Sequence, residues 1–121
     1  MTGLQPFEHG VRNNGAFVLR DDVTKLAEQF AAAGYATGSF TGAVVLDAQF
    51  GIAQGFEHFD GLAPYQRATG DMSGERPGES VVDEATAWIR SQSFPFFASV
   101  HMYDPHDPYV APEPFGSRYT D

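Results

Sequence analysis

The sequence predicts an α/β layered fold with a mainly parallel sheet flanked by helices. Two amphipathic helical stretches are each followed by a strand-like run, and that alternation is the pattern of layered α/β domains. The second run, FPFFASVHM at 94–102, is almost continuously apolar, as a strand covered on both faces must be. With 42% hydrophobic residues in 121 positions, the chain can fill one core.

Taken in order, residues 1–20 are rich in Gly, Asn and Pro and read as loop, with a short extended piece at 16–19. A helix follows. Asp22 or Thr24 is placed to accept its first free N–H groups, and Leu26, Phe30 and Ala33 recur at helical spacing. Gly34 suits the left-handed position that ends a helix. YATGSF, 35–40, is short and apolar enough for a buried strand. In 43–61, Val44 to Leu46 either extends the sheet or packs a short helical turn, and Gly51 and Gly55 mark turns. Residues 61–79 are Gly, Pro and polar and read as a long exposed loop.

The second helix is the strongest periodic signal. Ser80 is its expected cap, with Asp83 three residues on in the manner of a capping box. Val81, Ala85 and Trp88 form one stripe, flanked by Val82 and Ile89. Arg90 sits where a helix end favours a cation. The strand 94–102 comes next, and HMYDPHDPY (101–109) begins where that strand ends. Open parallel sheets bind ligands just beyond the carboxyl ends of their strands.

Composition excludes several functions. The net charge is −9 and Lys25 is the single lysine, so the basic face that nucleic acid requires is missing. The absence of cysteine removes disulfides, thiolate zinc sites and cysteine catalysis from this chain. No apolar run approaches a membrane span, and the first residues do not form a signal peptide. None of this indicates a compartment.

The chemistry concentrates in the histidine loop. Pro105 and Pro108 bracket His106, fixing their own φ angles and extending Asp104 and Asp107 before them. An imidazole braced in this way can bind an anionic oxygen or give a proton to a leaving group near neutral pH. Asp104 or Asp107 can orient the ring or raise its basicity. The plainer alternative, a proline-rich surface loop whose histidines only hydrogen-bond, stands equally at this point. His101, Asp104, His106 and Asp107 also offer mixed nitrogen and oxygen ligands, but their spacing matches no specific zinc pattern, and no metal site is assigned. His101 reads as a satisfied histidine at the strand end or as support for His106. His9 and His58 read as structural or solvent-facing. Arg12, Asn13 and Asn14 can contact an anion, although a Gly-rich turn explains them equally. No Ser, His and Asp grouping indicates a serine hydrolase.

Several motifs together resemble the sulfatase family. Thr2-Gly3-Leu4-Gln5-Pro6 and His9-Gly10-Val11-Arg12 resemble the stretch after the sulfatase nucleophile motif. Leu26-Ala27-Glu28 and Ala33-Gly34-Tyr35-Ala36-Thr37 are similar to the next helix and strand. Phe50-Gly51 and Gly55-Phe56 resemble the family's "FG…GFD" element. Pro95-Phe96-Phe97, leading to Asp104-Pro105-His106-Asp107-Pro108-Tyr109, resembles its histidine loop. The resemblance implies a partial alkaline-phosphatase-like fold and hydrolysis of small-molecule or carbohydrate sulfate esters. It also implies a formylglycine nucleophile made from Cys or Ser, and calcium, in a full-length protein. His106 matches the histidine that contacts the sulfate or the leaving oxygen, with His101, Asp104 and Asp107 as supporting residues.

The departures are as informative. Met1 stands where the nucleophile segment would end. Phe40-Thr41-Gly42-Ala43-Val44 stands where sulfatases carry Gly-Lys-x-His, and lacks the lysine and the histidine. Residues 1–121 are therefore expected to be a fragment of one catalytic domain, lacking the nucleophile segment and the C-terminal part. Alone the chain is expected to be inactive and to hold neither cofactor. Phosphate or phosphonate ester hydrolysis is the alternative within the superfamily, and a non-catalytic binding module is the alternative outside it.

Overall fold

The computed structural model describes residues 1–107, 109, 111 and 113–118. Its elements are helices α1 (Pro6–His9), α2 (Leu26–Ala32), α3 (Leu62–Thr69) and α4 (Gly78–Ser91), and strands β1 (Ala36–Thr41), β2 (His58–Asp60) and β3 (Phe96–His101). The sheet order is β2-β1-β3 and both pairings are parallel. β1 is central because it follows α2 directly and because β2 and β3 each return to it by a crossover, as parallel neighbours must.

Alternation along β1 and β3 separates two faces. Phe40 points to the α4 side, where it is fully buried with Val81 and Ala85 and packed by Trp88. The predicted stripe of α4 is therefore the core-facing stripe. Gly38 lies on the same side, and a Cβ there would sit 3.0 Å from the Trp88 ring. The opposite face is covered by α2, whose Phe30 stacks on Phe97 of β3 with ring centroids 4.5 Å apart.

That second face is unusually polar. Thr37, Ser39 and Thr41 are all buried along it. Thr37 shows how one such group is satisfied. Its hydroxyl donates to the Gly55 carbonyl at 2.8 Å and accepts from the Glu57 N–H at 3.0 Å, so it pins the turn before β2 to β1. Gly55 has φ +85°, and a Cβ there would run into the Glu28 amide; the position requires glycine for both reasons. Thr37→Val keeps the shape of the side chain and strands both backbone partners. We expect a loss of about 2–3 kcal/mol, read as a lowered denaturant midpoint.

Several expectations need correction. The segment 61–79 is not simply an exposed loop, because Leu62–Thr69 is helical and Leu62 is buried. Pro64 is tolerated in the first turn of a helix, and Gly70 closes it in the left-handed conformation. His58–Asp60 is a third strand. The residues 94–102 were read as covered on both faces, yet β3 is an edge strand with Phe96 41% and Val100 42% exposed. The fully enclosed strand is β1. Val44–Leu46 is a 3-10 turn and does not extend the sheet.

The caps also differ from those expected. α2 starts after Lys25, whose N–H is bound at 2.7 Å by Glu28 and not by Asp22 or Thr24. Lys25 is buried, with its ammonium on the carbonyls of Arg20 and Asp21 and the side chain of Gln54. α4 begins two residues before Ser80, at Gly78, and its cap comes from the histidine loop.

Candidate active site at the carboxyl ends of the strands

Three segments meet at Gly42. Its N–H donates to the His101 carbonyl at 3.0 Å, extending the β1–β3 pairing by one bond, and its carbonyl accepts from the Arg76 N–H at 3.0 Å. A Cβ on residue 42 would press on His101 O and Tyr103 N, at 3.2 and 3.3 Å. Glycine here lets the histidine loop and the loop before α4 converge on one strand end.

Arg76 locks this junction. It is 4% exposed and its guanidinium donates to the Asp60 carboxylate at 2.6 Å, joining the end of β2 to the loop before α4. The composition of 61–79 gave no sign of this pair. A lone arginine in a polar segment and an aspartate at a strand end are each unremarkable until the fold brings them together.

From His101 the chain runs through a stack of rings. The His101 and Tyr103 rings lie 6.3 Å apart, and Tyr103 stacks on His106 at 4.4 Å with an 18° interplanar angle. The His106 N–H donates to Tyr103 O at 2.8 Å, and Nδ1 of its ring lies 2.8 Å from the Asp107 carbonyl. A carbonyl only accepts, so Nδ1 carries the proton in this contact and Nε2 is the nitrogen available to a ligand. The imidazole is thus held by stacking and by the Asp107 backbone. Pro108, the second bracketing proline, lies outside the described residues.

Neither aspartate carboxylate holds the ring. Asp104 instead accepts the Gly78 N–H at 2.9 Å and so caps α4, where a carboxylate is favoured by the helix dipole. There is no room for a Cβ on Gly78 beside that carboxylate. The arrangement latches the histidine loop to a rigid helix. Asp104→Ala is expected to cost about 1 kcal/mol and to speed amide exchange at Gly78, whereas Asp104→Asn, which keeps an acceptor, should lose less.

His106 borders a cavity of about 310 Å³ with Asp71, Glu75, Arg76, Tyr103 and Asp104. The Ser73 N–H, at 2.9 Å, holds the Asp71 carboxyl below its ordinary range, with help from the Ser73 hydroxyl. Three carboxylates against one paired arginine make this a poor place for a free anion. The site suits a proton donor to an uncharged or departing oxygen better than it suits a sulfate-binding cation.

His101 lies on the other side of Gly42. It borders a larger cavity, of about 530 Å³, between the polar face of the sheet and the N-terminal segment. His9 accepts from Val11 N–H at 3.2 Å, and the His58 ring lies against Phe40 and Trp88. His9 also borders the larger cavity, and His58 is exposed. Asn13 and Asn14 line the larger cavity as well.

Among the described residues no group of three His, Asp or Glu side chains is gathered to hold a metal ion. Calcium takes six to eight oxygens, while Asp60 is committed to Arg76 and Asp104 to Gly78. The residues present do not fit a calcium site. Among the described residues no helix is long and apolar enough to cross a membrane.

The fold is of the alkaline-phosphatase-like class, as its likeness to two solved structures shows. The sulfatase family profile matches residues 1–121, and the chain belongs to that family. It is similar in structure to a phosphonate monoester hydrolase of Agrobacterium radiobacter, with a TM-score of 0.70 and 21% identity over 98% of this chain and 32% of that one. It is also similar to a protein of the alkaline phosphatase superfamily from Vibrio parahaemolyticus, with a TM-score of 0.54 and 23% identity over 74% of this chain and 24% of that one. The chain thus spans at most about a third of these proteins. No curated protein sequence matches it.

Proposed function

We propose that residues 1–121 form a central part of a larger sulfatase-like hydrolase that cleaves sulfate esters of small molecules or carbohydrates. The family match along the whole chain carries this reading. The free edge of β3 and the third-length coverage of the structural neighbours support the larger protein. The nucleophile and the metal ligands are assigned to other segments of that larger protein; residues 1–121 contain no cysteine, and among the described residues no group of His, Asp or Glu side chains is gathered for a metal. Alone it is inactive.

Within that protein His106 serves the leaving group. Its ring, stacked on Tyr103 and held through Nδ1 by the Asp107 carbonyl, leaves Nε2 placed to act on the departing oxygen. Tyr103 and the Asp107 carbonyl orient the ring. Asp104 acts at one remove by fixing the loop to α4, and His101 supports the loop from the end of β3.

A second reading, phosphonate or phosphate ester hydrolysis, rests on the likeness to the phosphonate monoester hydrolase. The absence of the sulfatase lysine and histidine around Gly42 and Val44 also favours it. The two readings separate when the whole protein is given 4-nitrophenyl sulfate and a 4-nitrophenyl phosphonate monoester in parallel. Faster turnover of the sulfate supports the first reading and faster turnover of the phosphonate supports the second. Turnover of neither supports the binding-module alternative.

A further inference from the structure

Two dipeptides of this chain, Asn14-Gly15 and Asp60-Gly61, have the composition that closes a succinimide ring. In each, the backbone nitrogen of the glycine can attack the side-chain carbonyl carbon of the residue before it. A residue without Cβ leaves that approach open and its backbone free to bend. Asparagine is thermolabile for this reason. The sequence does not separate the two dipeptides, whereas their surroundings do.

Asn14 and Gly15 are both exposed, in a turn between α1 and α2. Among the described residues nothing accepts from the Gly15 N–H, and the Asn14 amide has no hydrogen-bond partner. A Cβ on Gly15 would meet nothing within 4 Å, so the turn has room to rearrange around a ring. Asp60 is held in the opposite way. It ends β2 in register with Phe40, and its side chain is 12% exposed with the carboxylate on Arg76 at 2.6 Å. Turning it onto the Gly61 nitrogen gives up that contact and leaves a buried guanidinium unpaired. The backbone is packed there too, since a Cβ on Gly61 would lie 2.9 Å from the Phe59 ring.

We propose that Asn14 is a site of spontaneous modification in the folded protein, converted through a succinimide to aspartyl and isoaspartyl residues, while the Arg76 pair keeps Asp60 from the same chemistry. The Gly15 nitrogen bonds to Cγ of Asn14 and loses its proton, and ammonia leaves. Water then adds to one of the two ring carbonyls and opens its C–N bond. Opening at the side-chain carbonyl gives aspartate, and opening at the main-chain carbonyl gives isoaspartate. Either product puts a carboxylate where a neutral amide lines the larger cavity. The inference does not depend on the hydrolase reading.

The whole protein is incubated for days at mildly alkaline pH, once folded and once unfolded in urea, and then digested. Peptide masses report amide loss. An isoaspartyl-specific methyltransferase with labelled S-adenosylmethionine reports isoaspartate in each peptide. In the folded protein the amide of Asn14 should be lost and that of Asn13, which precedes a bulkier residue, should be kept. Asn14→Gln should abolish methyl acceptance by the folded protein. Asp60 should accept methyl only after unfolding. Retention of the Asn14 amide in the folded protein overturns the proposal, and isoaspartate forming at Asp60 equally fast in both states overturns the protection by Arg76.

Discussion

In the whole protein, His106→Ala lowers turnover of an ester with a poor leaving group by roughly 10²–10⁴, the range for loss of a positioned acid or base. His101→Ala lowers it less. The difference follows from their settings. His106 is exposed on the loop with Nε2 open to a ligand, whereas the Nδ1 of His101 is buried on the far side of Gly42. Steady-state rates for the two variants decide the assignment, and a larger loss in His101→Ala would reverse it. Asp104→Asn should retain most of the rate, since Asp104 acts through the α4 cap and not on the reacting atoms.

Asp60→Leu or Arg76→Met destabilises the protein by about 3–5 kcal/mol, because each leaves its partner charged and buried. The Arg76 side chain is 2% exposed and that of Asp60 12%, so water cannot replace the missing partner. Arg76 Nε has no hydrogen bond of its own, which places the burden on the single contact to Asp60. Denaturant melts of the two single variants and of the Asp60→Leu, Arg76→Met double variant test this. The double variant should recover part of the loss, since an apolar pair carries no desolvation cost. Additive losses would mean that the pair is not coupled. The damage should also reach the histidine loop, because the Arg76 backbone holds Gly42 and Gly42 holds His101.

What the sequence made legible follows from the range of each signal. The stripe Val81, Ala85, Trp88 and the run 35–40 are local patterns, and both became core elements. The loop at the carboxyl end of β3 was placed by the order of elements alone. Capping was misjudged where the partner is distant: Ser80 is a good local cap, but Asp104, 26 positions from Gly78, supplies the one used. Helix α3 was missed because it is short, mostly exposed and carries Pro64, which signals a break in a helix interior and none in its first turn. β2, at three residues, is too short for alternation to show. The Asp60–Arg76 pair is a product of register and crossover, which no local pattern encodes. The orienting role expected of Asp104 and Asp107 was inferred from proximity in sequence. In the structure, stacking on Tyr103 and a backbone carbonyl hold the ring instead.

The claim that His106 gives its proton to the departing oxygen is tested most directly by varying the leaving group. The whole protein and its His106→Ala variant are assayed on two esters of the same acid, one of 4-nitrophenol and one of a simple alcohol. A nitrophenolate leaves without a proton, whereas an alkoxide needs one. The variant should therefore lose about tenfold or more additional rate on the alkyl ester than on the nitrophenyl ester. Equal losses on the two esters would contradict the assignment.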